Sequence, residues 1–439
     1  MNFLLDKKKF YIILLLIIFF IIFMVSFSFP DLFALYFVPS KIFQYNVYSW
    51  VPTYTKTCLW VSATYPPLYY FTIGSYINIV SFFNLVNQSF FSSSCPVWQM
   101  LVDKSFLFWS KFPFLLLHLA SGILFANLFS KKKFYWFLFW VLNPIAIFVN
   151  FIEGQFDSFP TFFLLLAFFL AHKRKNYFLI SLALGIGGAY KHYPFLLLIP
   201  FAIILEKNWL KRILFLSVSI LPYIFFASFV YNKDYLVSLQ FSQNFTMLQS
   251  GISFGNFHLS YYAILYVGVL ITLFLDKHKN EYSLYKYSFL FSVLYFITSV
   301  WFVQRALFLI PSLLLITINS KNKTLRYILP VIYLEYFIYV LFMYPGLFDH
   351  TLLRPLFPAV QTLNYSFISL PEIQNIISPF MEVTLSLFAG IVFFSKQIHE
   401  EYPIRINDII TNIVPLVFYL FIIICFGFIT NSFTLLKIF

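Results

Sequence analysis

The sequence predicts an all-α fold: a polytopic transmembrane helical bundle of about 13 helices. Three observations predict it. Of the 439 residues, 61% are hydrophobic and only 10% are charged, too few charges to cover a soluble protein of this length. Lipid removes that requirement, because the surrounding solvent is itself apolar. Apolar stretches near the roughly 20 residues needed for a spanning helix recur along the chain. Basic clusters punctuate them: Lys7-Lys8-Lys9, Lys131-Lys132-Lys133, Lys173-Arg174-Lys175, Lys207 with Lys211 and Arg212, Lys277 with Lys279, Lys323 with Arg326, and Lys396 with Arg405. The net charge of +13 sits in these short connections. There it sets orientation in a membrane, and no free basic stretch remains for a nucleic acid.

Placing every basic cluster on the cytoplasmic side puts the N-terminus inside. The first apolar stretch, about residues 10–29, is long for a signal peptide and lacks a small-residue cleavage site, so it reads as a retained helix. It exits near Phe29, and the next cytoplasmic point is Lys131. Residues 30–105 therefore form the first external loop. The apolar segment 67–86 inside that loop reads as a juxtamembrane or re-entrant helix, because a crossing there would carry Lys131–Lys133 outside. The remaining helices fall at about 106–129, 134–151, 158–172, 177–190, 192–206, 210–231, 259–275, 283–302, 304–319, 327–345, 382–396 and 409–432. The segments 177–190 and 192–206 are short enough to form a bent pair. The external segments are 30–105, 152–157, 232–258, 346–381 and the C-terminal tail. Residues 1–439 form a single integral membrane domain with no internal repeat, and about 320–439 supply generic C-terminal helices.

Polar groups near hydrocarbon are costly and call for a reason. Asp31 directly follows the first helix, as an interfacial cap or as an acid or base at the membrane surface. Tyr65-Pro66-Pro67-Leu68 opens the apolar segment, where proline suits the first helical position. Asn143-Pro144 is followed by Glu153-Gly154-Gln155-Phe156-Asp157-Ser158, a short external loop with two carboxylates. Ser158 or Asp157 could cap the next helix, which leaves Glu153 and Gln155 unexplained. Lys191-His192 and Gln304-Arg305 place positive charge outside, against the prevailing bias, and suggest an anionic ligand such as phosphate. Snorkelling at a helix end is the alternative. Lys111 and Glu335 are further charges at membrane depth, and His118 reads as a packing residue. Cys58 and Cys95 are external, where a disulfide is permitted; Cys425 is apolar and inert. The sequons at Asn87, Asn244 and Asn364 are near chance frequency. No Cys or His cluster has metal-ligand spacing.

Together these pieces resemble the GT-C superfamily of lipid-phosphate-sugar-dependent glycosyltransferases. The resemblance rests on Asp31 after helix one, Tyr65 to Leu68, Asn143-Pro144 with Gly154, Gln155, Asp157 and Ser158, Lys191 to Pro194, and the late Arg305. It covers about residues 10–320. In flavour it is nearest the bacterial and archaeal mannosyltransferases related to the GPI mannosyltransferases. Gln304 stands where relatives often carry an acidic or His residue.

The resemblance implies inverting transfer of a hexose, mannosyl or glucosyl, from a polyprenyl-phosphate sugar to a glycan or lipid-linked acceptor at the external face. Asp31 is the expected general base, with Glu153 and Asp157 orienting hydroxyls or replacing it. Lys191, His192 and Arg305 are expected to receive the leaving phosphate. Tyr65, Pro66, Pro67, Gln155 and Gln304 complete the substrate site. No cofactor and no metal is expected, although a divalent ion stays open. The expected partners are the donor, the acceptor and membrane lipids around a monomer. The expected location is the plasma membrane of a bacterium or archaeon, or the ER membrane in a eukaryote. A lipid or sugar transporter or flippase is the competing class, and a polyprenyl-linked-glycan ligase or polymerase is the second rival.

Overall fold

The computed structural model describes residues 7–28, 65–87, 102–174, 176–229, 251–254, 257–277, 279–298, 303–322, 324–343, 370–395 and 406–436, with isolated residues between 32 and 40 and at 90, 100 and 355. Asp31, Cys58, Cys95, Asn244 and Asn364 lie outside the described residues, as does the side chain of Cys425.

Helix follows helix through the described chain. They are α1 (Lys7–Ser26), α2 (Pro67–Phe82), α3 (Lys104–Ala126), α4 (Lys133–Val141), α5 (Pro144–Ile147, continued by a π-turn over Phe148–Glu153), α6 (Ser158–His172), α7 (Tyr177–Tyr190) and α8 (Leu198–Leu205). After these come α9 (Trp209–Ser228), α10 (Tyr261–Leu275), α11 (Glu281–Thr298), α12 (Ala306–Asn319), α13 (Thr324–Met343), α14 (Leu370–Phe394) and α15 (Ile406–Leu436). The local chemistry explains several starts. Asp103 accepts from Phe106 N at 2.6 Å, Asn176 from Phe178 N at 2.9 Å, and Asn208 from Leu210 N at 2.9 Å, each satisfying an amide that the first turn leaves open.

Helix occurs at every predicted segment, with four differences. The predicted helix 134–151 is two pieces bent by 52°, because Pro144 cannot continue a helix and Asn143 starts a new one. Segment 192–206 begins as a tight 3-10 turn at Tyr193–Leu197. The helix expected from 382 begins at Leu370, where Glu372, Gln374 and Asn375 hide it from a hydropathy reading. The expected external segment 232–258 runs into an antiparallel hairpin, Gly251–Phe254 with Phe257–Ser260, the one departure from all-α among the described residues.

Among the described residues, four helices are long and apolar enough to cross a membrane: Lys7–Ser26, Lys104–Ala126, Trp209–Ser228 and Thr324–Leu341. The bent pair Lys133–Glu153 makes a fifth if it is one span. Several others are shorter apolar helices, and the set is compatible with a membrane protein. On α9 the apolar side chains point outward, with Leu221, Ile224 and Phe225 each more than half exposed. Such a continuous apolar exterior is foreign to a soluble monomer.

The interior has two parts. A large core runs from α1 through α13 to α15. A smaller one joins Leu32, Leu35 and Tyr36, the buried face of α2, Phe106 and Leu107 of α3, and Phe156 and Phe159. α6 packs against α7 and α3, and α7 against α9. The α7–α9 approach is close: a Cβ on Gly185 would lie 2.2 Å from the Ser219 carbonyl oxygen. Small residues permit such backbone contact between apolar helices.

Candidate functional site

The site begins at the break before α5. The Asn143 side-chain oxygen accepts from Ala146 N at 3.0 Å, and its amide donates to Tyr333 OH at 2.7 Å. Pro144 takes the first helical position, where its missing N–H costs nothing. The helix then widens to the π-turn, a form that recurs at functional sites. Gly154 closes it at φ +76°, a left-handed conformation that favours glycine. Space also requires glycine there, since a Cβ would meet Leu32 Cδ1 and Lys111 Cε, each at 2.9 Å. Gly154 N and Gln155 N both donate to Val149 O, at 3.0 and 2.9 Å. The turn delivers Glu153, Gln155 and Asp157, all buried, to the start of α6.

Side chains brace the turn. His118 Nε2 donates to Val141 O at 3.0 Å, which leaves Nδ1 to accept from Asn150 Nδ2 at 3.1 Å. Asn150 Oδ1 accepts from Ser158 Oγ at 2.8 Å. His118 is thus a satisfied buried residue. Asp157 makes no side-chain cap bond, contrary to the capping alternative. Its carboxylate is committed elsewhere.

Lys191 leaves the end of α7 in an extended conformation, and its Nζ reaches Asp157 Oδ2 at 2.6 Å. Both side chains are almost fully buried, 5% and 0% exposed. The Lys191 ammonium lies 4.6 Å from the Phe156 ring centroid, 5.4 Å from Tyr193 and 5.9 Å from Tyr65. Tyr65 stands edge-on to Phe156 at 4.7 Å, and Tyr69 packs on the same ring at 4.3 Å. Pro66 is extended and Pro67 opens α2, so the two prolines aim these rings at the turn. Arg305 ends the 3-10 turn Val303–Arg305, with its guanidinium carbon 5.5 Å from the Tyr295 ring and 5.9 Å from Tyr193. Cations over aromatic faces are stabilised when desolvated.

Burial pushes the Asp157 carboxyl above its ordinary value, while Lys191 first and Arg305 second pull it back. Asp157 Oδ1, Thr161 Oγ1 and Gln304 Oε1 are buried with no hydrogen-bond partner among the described residues. Each can accept from a ligand hydroxyl. The described residues contain no group of three His, Cys, Asp or Glu positioned to hold a metal ion.

No protein-family model, curated protein or solved structure matches the chain.

Of the residues singled out in the sequence, Tyr65, Asp157, Lys191 and Arg305 meet around Phe156 and Tyr193. Glu153 ends the π-turn and Gln155 follows it. His192 stands beside α9 instead, its ring 5.7 Å from Tyr223 and 6.4 Å from Phe195. Phe156, Tyr193 and Tyr295 escaped the sequence reading. The first two lay inside quoted motifs but looked like spacers, and Tyr295 is one of 31 tyrosines with no local signal. Glu335, on α13, accepts from Thr384 Oγ1 at 2.8 Å.

Proposed function

We propose that the chain is a membrane glycosyltransferase that moves a hexose from a polyprenyl-phosphate sugar to a glycan or lipid-linked acceptor at the extracytoplasmic face. The observation that carries this reading is the buried Asp157–Lys191 pair, with Arg305 acting on the same carboxylate. Three segments far apart in sequence supply it, and they are the segments that resemble the GT-C pattern. The site's position at the Asp157 end of α6 suits a donor whose apolar tail lies along the bundle.

In the proposed reaction an acceptor hydroxyl attacks the anomeric carbon as the bond to the phosphate oxygen breaks. The configuration inverts and polyprenyl phosphate leaves. A carboxylate takes the hydroxyl proton, a role typically worth about 10²–10⁴ in rate. Asp31 is the proposed base, with Glu153 or Asp157 as substitutes. Lys191 and Arg305 balance the charge that develops on the phosphate, and a preorganised buried cation does this without waiting for water to reorient. Tyr65, Gln155 and Gln304 contact sugar hydroxyls.

Incubating the purified protein with a panel of polyprenyl-phosphate sugars tests this. Acceptor-dependent release of polyprenyl phosphate supports it, and no turnover with any donor sinks it. One observation favours a transporter instead: α4 and α5 form a broken helix beside buried charges, a device transporters use. Passage of an intact lipid-linked sugar across proteoliposomes, without cleavage, would decide for that reading.

A further inference from the structure

Lys111 is fully buried on α3, and the mechanism above gives it no task. Its ammonium donates to Phe27 O at 2.7 Å, Phe151 O at 2.8 Å and Ile152 O at 3.2 Å. A lysine has three donors, so all three are spent. None remains for a substrate phosphate, which separates Lys111 from Lys191. What the three bonds do is mechanical. Phe27 lies just past the end of α1, where carbonyls have lost their intrahelical partners. Phe151 and Ile152 are the last π-turn residues before Glu153. One side chain therefore closes two helix ends at once, through hydrogen bonds to carbonyls that lack intrahelical partners.

The lysine stem takes part too. It passes over Gly154, where a Cβ would meet Lys111 Cε and Leu32 Cδ1, each at 2.9 Å. Phe27 reaches the turn that carries Glu153 and Asp157 through Lys111, and Leu32 lies against Gly154 within it. His118, two turns along the same face of α3, braces that turn through Asn150 and meets α1 at the Phe20 ring, 5.4 Å away, but makes no hydrogen bond to α1 among the described residues.

We propose that Lys111 is a positioning residue that ties the end of α1 at Phe27 to the turn carrying Glu153 and Asp157, and so holds those two acids in place around the sugar. This rests on the glycosyltransferase reading. Lys111 touches no reacting atom, and its effect passes through the two backbones it joins.

The test compares wild type, Lys111→Met and Lys111→Arg, full-length in detergent, by hydrogen–deuterium exchange and by transfer kinetics. Lys111→Met keeps the stem and removes the donors. Exchange is expected to rise about tenfold in peptides covering 20–28 and 148–158, and to stay unchanged across 261–298. With it, kcat falls about 100-fold, the scale of a 1 Å misplacement. The KM for the donor shifts by less than about threefold. Lys111→Arg, which keeps donors, restores part of kcat. A folded Lys111→Met with wild-type exchange and kcat overturns the proposal, as does exchange raised equally in every peptide. Should Lys111→Met not fold, Lys111→Gln, which keeps a shorter N–H donor, carries the same comparison. If wild type transfers no sugar at all, the glycosyltransferase reading falls, and the exchange pattern still decides whether Lys111 joins the two segments.

Discussion

Helix α6 joins two ends with opposite treatment of charge. At its start Asp157 and Lys191 form an ion pair almost without exposure, with Arg305 nearby and also buried. At its far end, about 22 Å away at 1.5 Å per residue, His172 bonds Glu281 at 2.7 Å with both side chains partly exposed, 28% and 39%. Lys131, Lys132, Lys173, Arg174, Lys207, Lys211 and Lys277 are all exposed. Water solvates those cations, so contacts such as Lys211 with Glu206 at 3.9 Å are worth little. The buried set must be neutralised by the protein, so it is expensive and constrains the chain wherever it occurs. That difference separates a site from a solvated rim more sharply than counting charges does.

The largest effects are expected from breaking the buried pair. Asp157→Asn or Lys191→Met leaves one buried charge unmatched, which typically costs about 3–5 kcal/mol. The double variant should lose less than the sum of the two, measured by thermal unfolding in detergent. An additive double variant would show that the pair does not act as a unit. Next, if the proposed glycosyl transfer is the reaction, Asp31→Asn should lower it by about 10²–10⁴ while leaving the fold intact. Retained activity would move the base to Glu153 or Asp157. Asp157 as base carries its own signature. Burial raises its carboxyl, so the acid limb of the kcat/KM profile should lie above the ordinary carboxylate value. Gly154→Ala should cost about 1–2 kcal/mol from its left-handed backbone alone, and more if Leu32 and Lys111 cannot shift. Smallest is His172→Ala at the other end, expected within about 1 kcal/mol and weaker still in high salt. A large loss there would erase the contrast between the two ends.

The helices were legible because long apolar runs separated by basic clusters are a simple signal, compatible with the demands of a bilayer. Where the chain relaxes those demands the reading blurred. Asn143-Pro144 carries a plain start signal, an amide cap before a helical proline, yet the apolar run on both sides concealed it. Polar residues after Leu370 masked a helix, and Gly251 gave no hint of a hairpin. The site was legible as a set of costly residues: Glu153, Asp157, Lys191 and Arg305 stood out because lipid penalises them. Which of them pair was not legible, since Lys191 meets Asp157 across 34 positions through the orientation of α7 against α6. The aromatic wall of Phe156, Tyr193 and Tyr295 was hidden for the opposite reason. In a chain that is 23% aromatic, rings carry no contrast.

The Lys111 bonds also have a consequence for biogenesis. As α3 leaves the ribosome, only one of its three acceptors, the Phe27 carbonyl, has been made. The other two arrive about 40 residues later. During that interval α3 carries a lysine in its first half, where the penalty on insertion is at most the roughly 2.5–3.5 kcal/mol of a spanning helix's centre. A chain halted before residue 148 should therefore leave α3 poorly inserted, and one extended past Gly154 should settle it.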